Sequence, residues 1–422
     1  MIIRFFYTLI LLLASPFLLF SLYKKKSGKP TFGPRWKEHF GVTPTLSSSA
    51  QPIWIHAVSV GECIAATPLI IKLKKRSPQT PIIVTTTTST GAEQIMKLKG
   101  LIEHRYMPID FGFAVRSFLK KVQPSQMLIM ETELWPNTIN AVAKSGVPIT
   151  VVNARLSEKS YQNYSRAQHL FHIMSHQISH ICCQSNDDAQ RFSQLGISKD
   201  KLSVTGSIKF DIEVNESTKV AAKSLRADIG EQRPIWIAGS THKGEEDKIL
   251  QVHKQVLQHY PDSLLILVPR HPERFNDVYS LCRHLNFNTI RRSAKSIVLS
   301  DTEVYLGDTM GEMLTLIGAA DICFMGGSLV GDKFGGHNIL EPAALYTATL
   351  TGPSYYNFLD IITRLSENNG IVIVEDETAL EKSLLELFSN KLYRDQLSRS
   401  AYRFVQANSG AVKNTLNELN YD

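Results

Sequence analysis

The sequence predicts an α/β protein built from two doubly wound domains, each a parallel sheet covered by helices on both faces. Its 422 residues exceed what one hydrophobic core usually holds, so two domains are expected. Short apolar runs alternate with helical segments along the chain, which is typical of parallel sheets. The pattern also restarts, because Pro52–Ile55 and Pro234–Ile237 share the sequence PIWI and each opens such a series.

The composition limits the kinds of partner that this chain can have. The net charge is +7 with histidine neutral, which favours a phosphorylated ligand or an anionic membrane surface. Nucleic acid is not expected as a partner, because no lysine- and arginine-rich stripe is interleaved with aromatic residues. The five cysteines form no C-x-x-C pair and lie in or beside apolar runs, so we expect buried, reduced thiols.

The N-terminus carries a membrane-anchor signal over residues 1–23, followed by a basic linker over residues 24–51. Phe5–Tyr23 has nineteen residues without a formal charge, and as a helix it would be about 28 Å long, close to the roughly 30 Å hydrocarbon core. Pro16 would kink this helix, so an anchor in the membrane plane remains an alternative to a span. A cleaved signal peptide fits poorly, because most of the positive charges follow the apolar run instead of preceding it. By the positive-inside rule, the same charges place the main body of the protein in the cytoplasm. Those charges are Lys24, Lys25, Lys26, Lys29, Arg35 and Lys37, whereas only Arg4 precedes the run.

A first domain is predicted over residues 52–210. Its first strand leads into the loop His56–Glu62 (HAVSVGE) and an amphipathic helix at Cys63–Lys75. Another strand ends directly before Glu131–Pro136 (ETELWP), which carries two carboxylates close together. The apolar runs that predict its strands are Ile53–Ile55, Ile82–Val84, Met127–Met130, Ile149–Val152, Ile181–Gln184 and Leu202–Thr205.

A second domain is predicted over residues 234–400, after a charged and polar linker helix over residues 211–233. Leu380–Leu419 is expected to be mostly helical, and residues 401–422 form a C-terminal helix. The predicted strands of this domain are Ile235–Ile237, Leu264–Val268, Val304–Leu306, Ile322–Phe324 and Ile371–Val374.

Polar residues follow the predicted strands in both domains. In sheets of this kind, ligands bind outside the carboxyl ends of the strands. Glu62, Glu131, Arg270, Glu312 and Asn338 each come shortly after a strand. We therefore expect them on facing loops across a cleft between the domains.

The loop Met325–Pro342 (MGGSLVGDKFGGHNILEP) is the most distinctive of these segments. Its paired glycines allow the backbone to approach a ligand closely, and a helix beginning at Ile339 would present free N–H groups to a phosphate. Glu341, in the first turn of that helix, suits the hydroxyls of a ribose. The stretch indicates a nucleotide site, although an ordinary glycine-rich strand-to-helix loop has the same pattern.

Other familiar sites are absent or weak. No G-x-G-x-x-G follows a strand, and neither G-x-x-x-x-G-K-[ST] nor G-x-S-x-G occurs, which argues against NAD-dependent, P-loop and α/β-hydrolase chemistry. Four histidines at helical spacing allow a metal face. The apolar residues between them instead favour a surface helix with a histidine stripe, and no ligand from another segment is evident. The four are His169, His172, His176 and His180.

Seven motifs lie along nearly the whole chain: HAVSVGE, ETELWPN, NARLS (Asn153–Ser157), GSIKFD (Gly206–Asp211), LVPRHPERF, GDTMGEM and GGHNILEP. Together they resemble the 3-deoxy-D-manno-octulosonic acid (Kdo) transferases of lipopolysaccharide synthesis. The resemblance implies the GT-B glycosyltransferase fold, two Rossmann-like domains facing across a cleft, with an N-terminal membrane anchor helix. It also implies CMP-Kdo as donor, a lipid A precursor (lipid IVA) as acceptor, the cytoplasmic side of the bacterial inner membrane, and no metal or other cofactor.

The same resemblance assigns catalytic roles. An inverting transfer needs a base to deprotonate the acceptor hydroxyl, and that base is Glu62, although a glutamate in a first helical turn also complements the helix dipole. Glu131 is placed at the reacting centre, where a carboxylate would stabilise an oxocarbenium-like transition state. Lys209 is a further transition-state contact by resemblance, whereas by itself it would be interpreted as a solvated lysine.

Three segments are assigned to CMP by the resemblance. Arg270 suits the leaving phosphate, because guanidinium pairs with phosphate in a bidentate manner, and Glu341 suits the ribose. His242, His271 and His337 lie on neighbouring loops and receive no role. No metal-binding residue is expected. The residues assigned to CMP are, in the first segment, Pro269 and Arg270; in the second, Met310, Gly311 and Glu312; and in the third, Asn338, Ile339, Leu340 and Glu341.

The acceptor side is less distinct. Basic residues at two helix ends would hold the first domain against anionic lipid, or would merely complement helix dipoles. The sequence thus predicts a membrane-anchored Kdo transferase, with a nucleotide-sugar epimerase of similar fold and a membrane-tethered CMP-binding scaffold without turnover as alternatives. No feature specifies an oligomeric state. The basic residues are Lys72, Lys74, Lys75 and Arg76, and Arg116, Lys120 and Lys121.

Overall fold

The computed structural model describes residues 2–24, 30–331 and 333–420. The chain forms two compact units: unit 1 is Met1–Asp211 with Ser409–Asp422, and unit 2 is Ile212–Asn408. Three lysines of the predicted basic linker, Asp332 of the glycine-rich stretch and the last two residues of the predicted C-terminal helix lie outside the described residues.

Unit 1 is built on a parallel sheet whose central strands come from buried apolar runs. Its strands are β1 (Ile53–His56), β2 (Ile82–Thr86), β3 (Glu103–Tyr106), β4 (Gln126–Met130), β5 (Ile149–Ala154), β6 (His180–Cys183) and β7 (Leu202–Val204). Their order across the described residues is β3-β2-β1-β4-β5-β6-β7. Trp54 of β1 is fully buried against Phe118, and its indole N–H donates to the Thr85 hydroxyl at 2.8 Å.

Several helices of unit 1 begin where the sequence offers a capping side chain. Ser59, Thr88, Ser157 and Ser185 each accept a hydrogen bond from the N–H group three residues further on, which satisfies a free donor of the first turn. The helices are α1 (Ile2–Tyr23), α2 (Val60–Arg76), α3 (Ser89–Ile95), α4 (Gly112–Val122), α5 (Pro136–Lys144), α6 (Glu158–Arg166), α7 (Gln168–Ser175) and α8 (Asn186–Gln194).

Unit 2 has a second parallel sheet of the same kind. Its strands are β8 (Ile235–Thr241), β9 (Leu264–Pro269), β10 (Thr289–Arg291), β11 (Val304–Leu306), β12 (Ile322–Met325), β13 (Ala348–Thr351) and β14 (Val372–Ile373). The order across the described residues is β10-β11-β9-β8-β12-β13-β14. Trp236 of β8 is fully buried in the core, as Trp54 is in unit 1.

The helices of unit 2 include one within the segment that the sequence suggested as a linker, residues 211–233. That helix, α9, buries Ala222, Leu225 and Ile229, and Arg226 donates to the Ala319 carbonyl oxygen at 3.0 Å. Its other residues are mostly charged or polar, which is why the segment resembles a linker in sequence. The helices are α9 (Glu216–Ile229), α10 (Glu246–His259), α11 (Phe275–His284), α12 (Met313–Gly318), α13 (Leu340–Ala344), α14 (Leu359–Glu367), α15 (Glu377–Ser389) and α16 (Lys391–Asn408).

The last helix, α17 (Ala411–Glu418), belongs to unit 1. The Asp211 carboxylate accepts hydrogen bonds from the N–H groups at its start, including those of Ala411 at 3.2 Å and Val412 at 2.6 Å. Ala411, Val412 and Leu416 join the apolar core beneath α2. The C-terminal residues therefore complete the unit that the N-terminal half begins.

Both sheets are doubly wound, as predicted. The strand order reverses between β1 and β4 in unit 1 and between β8 and β12 in unit 2. The predicted strands are all present, within one or two residues of their predicted bounds except β8, which continues four residues beyond its predicted end. Three strands were missed. β3 and β10 are edge strands that carry charged residues, and β13 is the short run Ala-Thr-Leu-Thr, so none has the apolar pattern of a central strand.

Helix α1 forms at the predicted anchor. Among the described residues it is the one helix long and apolar enough to cross a membrane. It has 22 residues, continues through Pro16, and has no residue that is buried in the structure.

Candidate active site

In each unit, some of the candidate residues lie where the strand order reverses, the position at which doubly wound sheets bind ligands. In unit 1 the loops after β1 and β4 contain Glu62 and Glu131. In unit 2 the loops after β8 and β12 contain Glu245 and the glycine-rich stretch.

Glu62 lies in the first turn of α2, where its carboxylate takes part in the helix cap. One oxygen accepts from the Val58 N–H at 2.8 Å and the other from the Ser59 hydroxyl at 2.9 Å. The Ser59 hydroxyl in turn accepts from the Glu62 N–H at 3.4 Å, which caps the start of α2. These hydrogen bonds hold the buried Glu62 carboxylate, 6% exposed, in one orientation at the start of the helix.

The environment of Glu62 makes it a stronger base than an ordinary carboxylate. Burial is the main cause that raises its pKa to about 7, and the charges of Glu133 and Glu131 act in the same direction. The hydrogen bonds from Val58 and Ser59 oppose this shift. A carboxyl group that titrates near neutral pH is suited to accept a proton from a hydroxyl and to release it afterwards.

Glu131 follows β4 directly and has a left-handed backbone with φ of 57°. This conformation is uncommon for residues other than glycine and is concentrated at functional sites. Burial raises the pKa of Glu131, whereas the nearby charges of Lys209 and Arg155 lower it. Unit 1 thus brings Glu62, Glu131 and Lys209 into one group of interacting charges.

Lys209 lies on a 3₁₀ turn, Ile208–Phe210, that is fixed from both sides. The Asn153 side-chain oxygen accepts from the Ile208 N–H at 3.0 Å. Asn153 is fully buried and has φ of 54°. Helix α17 packs on the same turn and on α2. Sequence reasoning included Asn153 in a family motif but gave it no role.

Arg270 is the first residue after β9, which ends at Pro269. Its N–H donates to the Thr241 carbonyl oxygen at 3.0 Å, which holds the loop against the end of β8. The Arg270 side chain is exposed. Burial raises the pKa of Glu341, and both a hydrogen bond from Asn338 and the charge of Arg270 lower it. Arg270 and Glu341 are therefore close neighbours.

Asn338 links the glycine-rich loop to α13. Its amide donates to Glu341 at 3.1 Å, and its side-chain oxygen accepts from the Leu340 N–H at 3.2 Å. Helix α13 has only five residues, Leu340–Ala344, and Ile339 precedes it as the cap residue. Unit 2 thus brings Arg270, Asn338 and Glu341 together.

The segment Met310–Glu312 is held separately. Arg292 pairs with the Glu312 carboxylate at 2.7 Å and 3.2 Å, and the Thr309 hydroxyl donates to the same group. The hydrogen bond from Arg292 is the main cause that lowers the pKa of Glu312. Gly311 has φ of 82°, and the Met310 side chain is exposed.

The start of the glycine-rich loop is held by a buried carboxylate of the same unit. Glu245 is fully buried, and one of its oxygens accepts from the N–H groups of Gly327 at 2.7 Å and His242 at 3.2 Å. Its other oxygen accepts from Ser328 at 3.1 Å and Leu329 at 3.0 Å. The N–H groups of Gly327–Leu329 are therefore already bound by a carboxylate of the protein itself. The sequence contained one indication that Glu245 matters, because the pair Gly244-Glu245 in the second half of the chain repeats the pair Gly61-Glu62 in the first half.

Two histidines stack over this loop. The Nε2 atoms of His242 and His337 lie 2.8 Å apart, and Phe334 stacks on His242 with ring centroids at 3.7 Å. Burial first, and neighbouring positive charges second, lower the pKa of each histidine to about 4, so both are neutral at pH 7. Gly327 has φ of 72°, and a Cβ atom there would lie 2.8 Å from the His337 ring, so glycine is required beneath the pair.

The histidine stripe does not form as predicted. Helix α7 ends at Ser175 and His180 is the first residue of β6, so the four histidines do not share one helix. In the described parts of the chain, no group of three or more His, Cys, Asp or Glu side chains is arranged to hold a metal ion.

Comparison with known proteins identifies the family. Residues 34–212 match the family model for 3-deoxy-D-manno-octulosonic-acid transferase (kdotransferase). The 3-deoxy-D-manno-octulosonic acid transferase of Haemophilus influenzae is 41% identical over 419 residues, which cover 99% of this chain and 98% of that protein. This chain belongs to the Kdo transferase family. It is therefore an enzyme, a glycosyltransferase.

Solved structures similar to this Kdo transferase have the fold predicted from the sequence. A glycosyltransferase from Rickettsia africae aligns with a TM-score of 0.52 at 15% identity, covering 88% of this chain and 98% of that one. A UDP-N-acetylglucosamine 2-epimerase aligns with a TM-score of 0.54 at 11% identity, covering 89% and 98%. At these identities the likeness concerns the fold alone, which is of the GT-B type. The epimerase alternative therefore gains no support for its chemistry.

Within this Kdo transferase, the predicted residues form three groups. Glu62, Glu131 and Lys209 lie together in unit 1, at the reversal between β1 and β4. Arg270 lies with the segment Asn338–Glu341 in unit 2, and the Met310–Glu312 segment is held by Arg292. Glu245 and Asn153, which sequence reasoning left without a role, fix the backbone beside the predicted residues.

Proposed function

We propose that this enzyme transfers Kdo from CMP-Kdo to a hydroxyl of a lipid A precursor, lipid IVA, with inversion at the anomeric carbon. The observation that carries the proposal is the Glu62 carboxylate. It is buried, oriented by Val58 and Ser59, and has a pKa raised to about 7 chiefly by burial. It also lies beside a second carboxylate in a chain that belongs to the Kdo transferase family.

Glu62 acts as the general base of the transfer. It takes the proton of the acceptor hydroxyl as that oxygen forms a bond to the anomeric carbon of Kdo. The bond between this carbon and the phosphate oxygen breaks, and its electron pair leaves with CMP. Glu131 stabilises the positive charge that develops at the sugar, and Lys209, whose charge acts on Glu131, stabilises the negative groups of the donor.

The donor is held by unit 2. Arg270 pairs with the leaving phosphate, and Glu341, kept in place by Asn338, accepts from the ribose hydroxyls. Pro269, Ile339, Leu340 and the Met310–Glu312 segment complete the CMP site. No metal or other cofactor takes part, because the cation that balances the leaving phosphate is supplied by arginine.

The enzyme acts at the cytoplasmic face of the bacterial inner membrane. Helix α1 supplies the attachment, since it is long and apolar and its outward side chains are exposed. The lysines that follow it favour the cytoplasmic side. A lipid acceptor explains why a glycosyltransferase carries such a helix.

The test is a transfer assay with Glu62→Gln. Purified enzyme receives CMP-Kdo and the tetra-acylated lipid A precursor, with and without EDTA, and the lipid products are identified by mass. Glutamine keeps the shape but cannot take the proton, so we expect turnover to fall by about 10²–10⁴-fold with unchanged CMP affinity. Glu93→Gln, an exposed glutamate on α3, is the matched control. Turnover of Glu62→Gln equal to that of the control removes Glu62 from the mechanism, and loss of transfer in EDTA refutes the metal-free reaction.

A further inference from the structure

Helix α1 lies along the surface of unit 1. Near its start, the Tyr7 hydroxyl hydrogen-bonds to the Asp110 carboxylate, and the Asn137 amide donates to the Thr8 hydroxyl at 3.0 Å. Near its end, the Tyr23 hydroxyl lies 2.7 Å from Nδ1 of His39. These contacts span about 24 Å of helix, at 1.5 Å per residue. The helix is therefore attached to unit 1 over most of its length.

The two sides of α1 have different surroundings. An outward stripe is exposed, and its side chains are large and apolar. One long apolar patch of this kind marks a membrane-binding surface. If this helix crossed the bilayer while docked, it would carry Asp110 and Asn137 to hydrocarbon depth, where such groups are costly. The geometry therefore favours a helix that lies in the plane of the membrane surface. The outward stripe is Phe6, Ile10, Leu13, Phe17 and Phe20, which are 56–78% exposed.

The inward side of α1 covers an apolar cavity of about 360 Å³, which is within the size range of ligand sites. Its floor in unit 1 includes Met107, Ile109 and Trp135. A second cavity of about 810 Å³ adjoins it, because Leu18, Leu19 and Leu22 line both. The α1 side chains that line the first cavity are Tyr7, Leu11, Ser15, Leu18, Leu19 and Leu22.

The floor of the cavity is connected to the candidate base. Thr87 lines the cavity, and its hydroxyl donates to the Val58 carbonyl oxygen at 3.1 Å. Val58 is the residue whose N–H donates to Glu62. Trp135 also lines the cavity, and its indole N–H donates to Glu133 at 3.2 Å. A chain held in the cavity would therefore end beside the carboxylates of unit 1.

We propose that this cavity binds an acyl chain of the lipid acceptor, while α1 lies in the membrane surface. The inference rests on the proposed function, because it assumes a lipid acceptor. An acyl chain matches a lining that is mostly apolar, because the Asp110 carboxylate in it is already hydrogen-bonded by the N–H groups of Asn137 and Thr138. It can enter sideways from the bilayer, since one wall of the cavity is the membrane-facing helix. Lys24, which lines the second cavity at the end of α1, suits a phosphate of the same lipid.

The kinetic test fills the cavity and compares two acceptors. Ser15→Phe places a ring in the cavity, whereas Leu13→Phe places the same ring on the outward stripe and serves as the matched control. Each variant is assayed with the tetra-acylated precursor in micelles and with the deacylated, phosphorylated disaccharide. For Ser15→Phe we expect KM for the acylated acceptor to rise about ten-fold or more, with kcat/KM for the deacylated acceptor unchanged. The control should change neither value.

A second measurement needs no turnover. The acylated precursor carries a diazirine at the end of one acyl chain, and crosslinked peptides are mapped by mass spectrometry after illumination. We expect crosslinks at Leu11, Ile109 or Trp135. These crosslinks should be lost in the Ser15→Phe variant, and they should persist when excess phosphatidylethanolamine vesicles are added. Crosslinks confined to the outward stripe, or removed by the vesicles, would overturn the proposal, as would a Ser15→Phe variant that uses the acylated acceptor normally. If the wild type uses neither acceptor, the proposed function fails, and the crosslinks still report on the cavity.

Discussion

Glu245→Gln should loosen the glycine-rich loop of unit 2. Four N–H groups, those of His242, Gly327, Ser328 and Leu329, donate to its two carboxylate oxygens, two to each. Glutamine replaces one oxygen by an NH₂ group, so two buried donors lose their acceptor whichever way the amide is turned. Each buried donor left unpaired costs about 1–3 kcal/mol, which gives about 2–6 kcal/mol in total. For a unit of this size, 1 kcal/mol lowers Tm by roughly 2–4 °C, so we expect a fall of at least roughly 4 °C.

Differential scanning calorimetry measures this change directly, and CMP titration measures its effect on the donor site. The affinity for CMP should fall as well, because Asn338 and Glu341 follow from the same loop. Glu231→Gln, an exposed glutamate in unit 2, is the control for removing one negative charge. If Glu245→Gln unfolds within about 1 °C of the control and binds CMP equally well, the carboxylate does not hold the loop, and the reasoning is refuted.

Two more outcomes follow from unit 1. In the proposed mechanism Glu62 must be ionised to act as base, and its pKa is raised to about 7 chiefly by burial. The value of kcat/KM should therefore fall about ten-fold for each pH unit below 7 and level off above it; a flat profile between pH 5 and 7 contradicts this. Asp211→Ala removes the acceptor for the first N–H groups of α17, which should cost about 1–2 kcal/mol and speed hydrogen exchange in α17 and in the Ile208–Phe210 turn. Unchanged exchange in both segments would show that Asp211 does not anchor the helix.

The sequence was sufficient for much of the fold because its central strands are continuous apolar runs. β1 and β8 are short runs that are buried on both faces, and their pattern is visible without any tertiary information. The edge strands β3 and β10 were missed because a strand exposed on one side carries charged residues. Helix α9 was predicted as a helix, but as a linker and not as part of the second domain, because only a narrow stripe of it is buried and the partner of that stripe, α12, lies far along the chain.

The candidate site was predictable to the extent that its residues follow strands. Glu62 and Glu131 follow strands of the first sheet and Arg270 follows a strand of the second, and each parallel sheet brings such positions to one of its own edges. The state of each side chain was not predictable. It depends in each case on residues that are distant in sequence. Glu62 is buried beside Glu131, Glu312 is paired with Arg292, and Glu245 binds the glycine-rich loop.

The sequence by itself determined the alternation of strands and helices, the two-unit organisation and the positions of the polar loops, because these follow from local periodicity and turn chemistry. Only the tertiary structure decided which donors and acceptors meet. It pairs Asp211 with the start of α17 across about half the chain, and it places Tyr7 and Thr8 of α1 on Asp110 and Asn137. The physical reason is that a buried polar group must find a partner wherever the packed fold provides one, and local sequence does not specify where that partner lies.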